Sequence, residues 1–327
     1  MNKSYLNFRT DMADERVDTY KKVHNLSEID GIKVDSKTNG KISTTIVDVL
    51  NDNGKRAVGK EVGKYITIEI QDAQYLSEDE KETLINELAG NLEILVNGVL
   101  NENEKFSVLI VGLGNEYVTP DALGPKVVSY IDITRHLFKY AKEYLEPGTK
   151  EISGISPGVL GTTGIETSEI ITSIVNKISP TIVIVIDSLA SMSVSRVGKT
   201  VQMSNTGITP GAGVDNKRET LNKETLGVPV IAIGVPTVVD MATITNEAID
   251  KLTDSIKREA TEYSNYGVDV NKIKEVFELF ERDGRYGMIA NALNTENYIV
   301  TPKEIDGVIS KISEIIASSI NTALRPK

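Results

Sequence analysis

Two aspartates stand where a buried strand gives way to a loop, and a pair of carboxylates so placed could run acid–base chemistry. Asp121 lies in "VTPDALGP", just past the apolar run "FSVLIVGLGN" (106–115). Asp187 closes "TIVIVID" (181–187). If both meet at one site they cannot both ionise cheaply, so they titrate as a unit and share a proton or a water. One then activates water while the other holds or supplies a proton. The ordinary role of an aspartate after a strand is a helix cap or turn residue. Asp121 suits that role, since a helix is expected within a few residues. Asp187, at the end of a β-branched run, suits it less. The residues alone leave the two roles undecided.

Composition removes several competing chemistries. The chain of 327 residues has no cysteine, which excludes disulfides, thiolate catalysis and zinc–sulfur sites. It has only two histidines, His24 and His136, too few for a histidine-rich metal centre and poor material for a serine hydrolase built on "DSLASMSVS". Acid–base work then falls to the 47 Asp and Glu residues. A net charge of −11, with no tryptophan and few aromatics, argues against holding nucleic acid through phosphates or stacked bases. No uncharged apolar run reaches the roughly 18 residues that a membrane span needs. The N-terminus lacks the apolar stretch of a secretory signal, so an intracellular protein is expected. Gly112-x-Gly114 lacks the third glycine of the dinucleotide fingerprint, and no phosphate-binding P-loop occurs. No cofactor and no metal site is expected.

The elements that must position the aspartates follow from apolar periodicity. Strand-like alternation in 41–50 and 63–70 predicts an antiparallel pair, with the polar, Gly-containing stretch between them as a long connection. Ser77 and Glu80 form a capping box ahead of a stripe of Leu84, Leu88, Leu92 and Leu95. Continuous apolar runs at 106–115, 181–187 and 228–236 predict strands covered on both faces. Helices are expected following "LGPKVVSYIDITRHLF", through Ile170 to Ile178 with a stop at Ser179–Pro180, and from about Asp240. The chain is expected to end in a helix with Thr301 as cap, Pro302 in the first turn and Glu304 closing the box. Strands alternating with helices mean an α/β protein: three layers, a mostly parallel sheet with helices on both faces, an N-terminal strand pair and a C-terminal helix. Ligands of such sheets gather beyond the carboxyl ends of the strands. The loops there are "GLGNEYVTPDALGP", "DSLASMSVSRVG" and "GVPTVVDMATI". "TGITPGAGVDNKR" (206–218) reads either as a loop that touches a substrate chain or as mere connection. Asn115 and Thr119 in the first loop, with Gly211, Gly213, Lys217 and Arg218 in the last, are candidate substrate contacts.

Longer motifs carry a resemblance. "VGLGNEYVTPDALGPKVV", "ITRHLFKY", "PGVLGTTGIETSEII", "VIDSLA", "GVDNKRETLNKETLGVPVIAIGVPTVVD" and "IVTPKEID" together resemble the germination protease of spore-forming Firmicutes, from about residue 9 to the end. The resemblance implies an atypical aspartic endopeptidase that degrades small acid-soluble spore proteins during germination. Its two proposed catalytic aspartates fall on Asp121 and Asp187. It also implies a homotetramer in the forespore and spore core, with no direct contact to nucleic acid or membrane. "RTDMADE" (9–15) resembles the family's cleavage motif, which makes residues 1–11 a propeptide removed by the protein itself between Asp11 and Met12. Without the resemblance this stretch reads as a polar, frayed start. Residues 12–327 would then be one peptidase domain, with a core of about 60–260 and a C-terminal helical extension of about 265–327.

The "GLGN" loop is also similar to that of hydrogenase-maturation endopeptidases, where an acidic residue at the same distance meets a metal; this bears on the fold more than on a metal site. Peptidyl-tRNA hydrolases share "GLGN", but the histidine they need after it is missing. The stretch 262–275 is shorter than in Bacillus members, and Thr209 stands where some members have histidine. Two readings of other classes compete: a metal-dependent maturation-type peptidase, separable by chelation, and a non-catalytic binding protein, separable by the absence of cleavage.

Overall fold

The computed structural model describes residues 10–71, 76–100, 106–211, 218–263, 288–289 and 298–326. The first element is α1 (Ala13–His24), with Asp14 and Glu15 in its first turn and Lys21, Lys22 and His24 in its last, the polarity a helix dipole favours. Its sequence has little apolar signal, and it is held by Ala13 and Val17. β1 (Ile32–Asn39) and β2 (Ile42–Val49) form a hairpin turned at Gly40. β1 is almost wholly exposed, an edge strand without a buried face to mark it in sequence. β2 pairs with β3 (Gly63–Ile70) as expected, in a register from Ile42↔Ile70 to Val49↔Gly63. Their connection is not simply a loop. It contains α2 (Asp52–Val58), capped by the Asn51 side chain on the amides of Asn53 and Gly54.

α3 (Glu78–Asn97) starts with the full Ser77–Glu80 capping box and buries its leucine stripe. β4 (Ser107–Gly112) follows. Two short helices, α4 (Leu123–Ser129) and α5 (Arg135–Tyr140), stand after it, separated by the β-branched stretch around Ile131 and Ile133. β5 (Glu151–Ile155), the one-turn α6 (Leu160–Thr163) and α7 (Thr167–Ile178) come next. α7 ends where Ser179 takes a left-handed conformation before Pro180. β6 (Ile182–Ala190), β7 (Thr200–Ser204), the short α8 (Lys223–Leu226), β8 (Val230–Asp240) and α9 (Met241–Tyr263) complete the central part.

β9 (Ile299–Val300) pairs with the end of β8, and α10 (Ile305–Leu324) closes the chain. The expected cap at Thr301 is not formed. The helix begins at Ile305, and the Thr301 hydroxyl donates instead to the Thr237 carbonyl at 2.8 Å. With Glu304 in the cap position, Thr301 stands three residues before the cap and ties this approach to β8. Most of the expected extension from about 265 lies outside the described residues.

One sheet orders the strands β1-β2-β3-β7-β8-β6-β4-β5, with β9 beside β8. The strands β8, β6, β4 and β5 run parallel, and the others add antiparallel. On one face α3 and α10 cover Ile68, Ile110, Ile184 and Ile233. On the other face α7 packs on Val111 and Val185, while α1 and α2 pack on Val47, Val49 and Tyr65. That second face has two separate cores.

Candidate active site

Because β4 and β6 are hydrogen-bonded neighbours, the loops that leave them share one edge of the sheet. The Leu113 amide donates to the Ile186 carbonyl at 2.8 Å and carries the pairing one step past β4. The chain then folds back at Gly114, whose φ is +110°; a Cβ there would lie 2.0 Å from the Asp121 carbonyl oxygen. Only glycine permits that approach. Thr119–Asp121 form a single 3₁₀ turn opened by Pro120. The Asn115 amide donates to the Asp121 carbonyl oxygen at 3.1 Å and to its Oδ2 at 2.9 Å. The Asp121 carboxylate therefore turns back toward the strand. It does not cap α4, whose preceding residue is Ala122 with no side-chain cap.

Asp187 is buried within β6 and accepts the Ser188 amide on Oδ1 at 2.9 Å. Both aspartates line a cleft of about 420 Å³ with Leu113, Asn115, Leu160, Leu189 and Arg218. Burial pushes Asp187 well above the usual carboxylate range, and the charges of Asp121 and Asp11 push it further. Burial also raises Asp121, to about 6, against the opposing Asn115 hydrogen bond. Two carboxyls raised in this way favour sharing a proton over ionising independently. Neither histidine lines the cleft; both are exposed. No cluster of three or more Asp, Glu, His or Cys side chains spaced for a metal ion occurs among the described residues.

Asp11 enters the same cleft. Its amide donates to the Ala190 carbonyl at 3.0 Å, and its Oδ2 accepts the Ala190 amide at 3.0 Å. Burial raises its carboxyl above the usual range, opposed by Lys60, the Ala190 amide and Arg16. Met12 and Ala13 are fully buried. Behind them Arg196 pairs with Asp14, with Glu15 at 3.2 Å and with Glu69. Glu15 also accepts the Met192 amide at 2.9 Å and the Thr10 hydroxyl.

Of the candidate contacts, Asn115, Gly211 and Arg218 line the cleft, and Arg218 also meets Glu166 at 3.3 Å. Thr119 is exposed and is not part of the lining. Gly213 and Lys217 lie outside the described residues. Sequence reasoning missed Lys60 and Gln202, which both touch Asp11. Lys60 sits in a stretch expected to be plain connection, and Gln202 sits on β7, a five-residue strand with no distinctive period.

The family profile of the germination proteases matches residues 9–279. The chain belongs to the germination protease family. A germination protease of Clostridium tetani is 45% identical over 323 residues, covering 98% of this chain and 96% of its own. One from Priestia megaterium is 38% identical over 351 residues, covering 98% and 94%. Among solved structures, the NiFe hydrogenase maturation protease HycI from Thermococcus kodakarensis KOD1 overlaps 45% of this chain and 80% of its own, at 20% identity and a TM-score of 0.30.

Proposed function

We propose that this germination protease is an endopeptidase of small acid-soluble spore proteins, that it activates itself by cutting Asp11–Met12, and that Asp121 and Asp187 activate the attacking water. The observation that carries the reading is the shared cleft. Two aspartates 66 positions apart in sequence (187 − 121) line it, together with the residue before the expected cut. Asp121, whose carboxyl is raised only to about 6, is the ionised partner near neutral pH and takes a proton from water. The water oxygen bonds to the peptide carbonyl carbon. As that intermediate collapses the C–N bond breaks, and the proton held by Asp187 passes to the leaving nitrogen. One water is consumed, and one acid and one amine are produced.

The family resemblance supports the spore-protein substrate, the homotetramer and a place in the forespore and spore core. The test is to make Asp121→Asn and Asp187→Asn separately and to follow cleavage of a small acid-soluble spore protein. Each substitution is expected to lower the rate by about 10² to 10⁴. Near-normal turnover in both would end the proposal. For activation, the full chain incubated alone is expected to lose residues 1–11 and to show Met12 as its new N-terminus by intact mass. Asp187→Asn is expected to keep those residues.

A further inference from the structure

The Asp11 carbonyl oxygen accepts two hydrogen bonds, from Lys60 Nζ at 2.6 Å and from Gln202 Nε2 at 2.9 Å. The orientation of the Gln202 amide is fixed by its other end. Its Oε1 accepts the Ala13 amide at 2.6 Å, a contact that an NH₂ group could not make. Gln202 thus grips the backbone on both sides of Met12. Lys60 is partly buried, and burial lowers its pKa against the raising effect of Asp11; it is a donor in either protonation state.

Sheet register places these donors opposite the aspartates. Gly234 of β8 pairs with Asp187 of β6 on one side and with Gln202 of β7 on the other. The three residues stand at one level of the sheet and face the same way, with two strand spacings, about 10 Å, between Asp187 and Gln202. Because the middle residue is glycine, no side chain rises between them at that level, and the space above it is filled by Leu189. Asp11 bridges this interval. Its amide and carboxylate are held by Ala190 on β6, and its carbonyl points to Lys60 and Gln202.

We infer that Lys60 and Gln202 are the oxyanion-binding residues of this peptidase. When water adds to the carbonyl carbon, the C=O electron pair moves onto the oxygen, and the two donors stabilise the charge that develops there. The inference rests on the reading that Asp11–Met12 is the bond cut. For other substrates, the carbonyl of the bond to be cut takes the place of the Asp11 carbonyl. Gln202 Oε1 then receives the amide of the second residue after the cut.

The full-length chain tests this in two assays: loss of residues 1–11 followed by intact mass, and cleavage of a small acid-soluble spore protein resolved into kcat and KM. Lys60→Met and Gln202→Leu are each expected to slow loss of residues 1–11 by about 10² to 10³. Gln202→Glu keeps the acceptor for Ala13 and the shape of the side chain while losing the donor, and is expected to be slow as well. Lys60→Arg, which keeps a donor, is expected to recover most of the rate. On the spore protein the loss is expected in kcat with KM little changed, and the thermal unfolding midpoints of Lys60→Met and Gln202→Leu are expected to fall below that of the parent, since each leaves a buried partner unmet. If the parent sheds residues 1–11 and Lys60→Met, Gln202→Leu and Gln202→Glu all do so within about threefold of its rate, the inference is overturned while the processing reading stands. If the parent keeps those residues yet cleaves the spore protein, the processing reading fails, and kcat on that substrate decides: unchanged in the variants, it overturns the donor pair as well; lowered, it upholds the pair.

Discussion

At the residue scale the site depends on carboxyls held away from water. Asp121 rises from 3.8 to about 6 because burial disfavours its charged form. The folded chain therefore binds this proton more tightly than the unfolded chain does. Stability from this group is complete below the unfolded value, near 3.8, and is lost as pH rises through about 6. Asp121→Asn, which keeps an oxygen for the Asn115 amide and carries no charge, is thus expected to stabilise the chain at pH 7. With each pKa unit worth about 1.4 kcal/mol, the ceiling is about 3 kcal/mol. The gain is expected to vanish below about pH 4, where both folded and unfolded carboxyls are protonated. Urea unfolding of both proteins at the two pH values checks this; an equal gain at both would mean that the charge is not the cause. The same variant is expected to lose activity, so stability and catalysis move in opposite directions at one atom.

At the element scale, α1 joins the sheet through electrostatics as well as apolar contact. Arg196 is largely buried and meets Asp14 and Glu15 on α1 and Glu69 on β3. Burial raises the Glu15 carboxyl and Arg196 is the main force opposing it, so removing the guanidinium leaves a buried acid without its cation. Arg196→Ala is expected to destabilise the fold by about 3–5 kcal/mol, measured by denaturant unfolding. It is also expected to expose α1 to added trypsin before the rest of the chain. α1 and β1 were hard to read in the sequence for one reason: each buries so few of its side chains that no apolar period stands out. α3 was readable down to its first residue, because its cap and its stripe are both local patterns. Thr301 shows the limit of local patterns. Its cap chemistry was in place, but the helix begins only at Ile305, and the Thr301 hydroxyl donates to the Thr237 carbonyl of β8.

At the scale of the whole molecule, the proposed homotetramer would hold four chains of 35.7 kDa each. Light scattering on the purified protein is expected to report that mass, and a monomer at micromolar concentration would reject it. The same scale separates what the sequence determined from what folding decided. Buried strands and amphipathic helices were legible, because burial leaves an apolar record in each segment by itself; the expected strand end at Asp187 was not found, since β6 runs on to Ala190 once its backbone pairs with β8. Strand order left no such record. The hydrogen-bond ladder between strands uses backbone groups that every residue has, so nothing in "TVQMS" announces that it inserts between β3 and β8. That insertion sets Gln202 level with Asp187 across Gly234 and brings Lys60 onto the Asp11 carbonyl. Which acids lie in or just after the buried apolar runs was a property of the chain. Which donors face them became definite only when distant segments paired, because neighbours in a sheet are chosen by long-range packing.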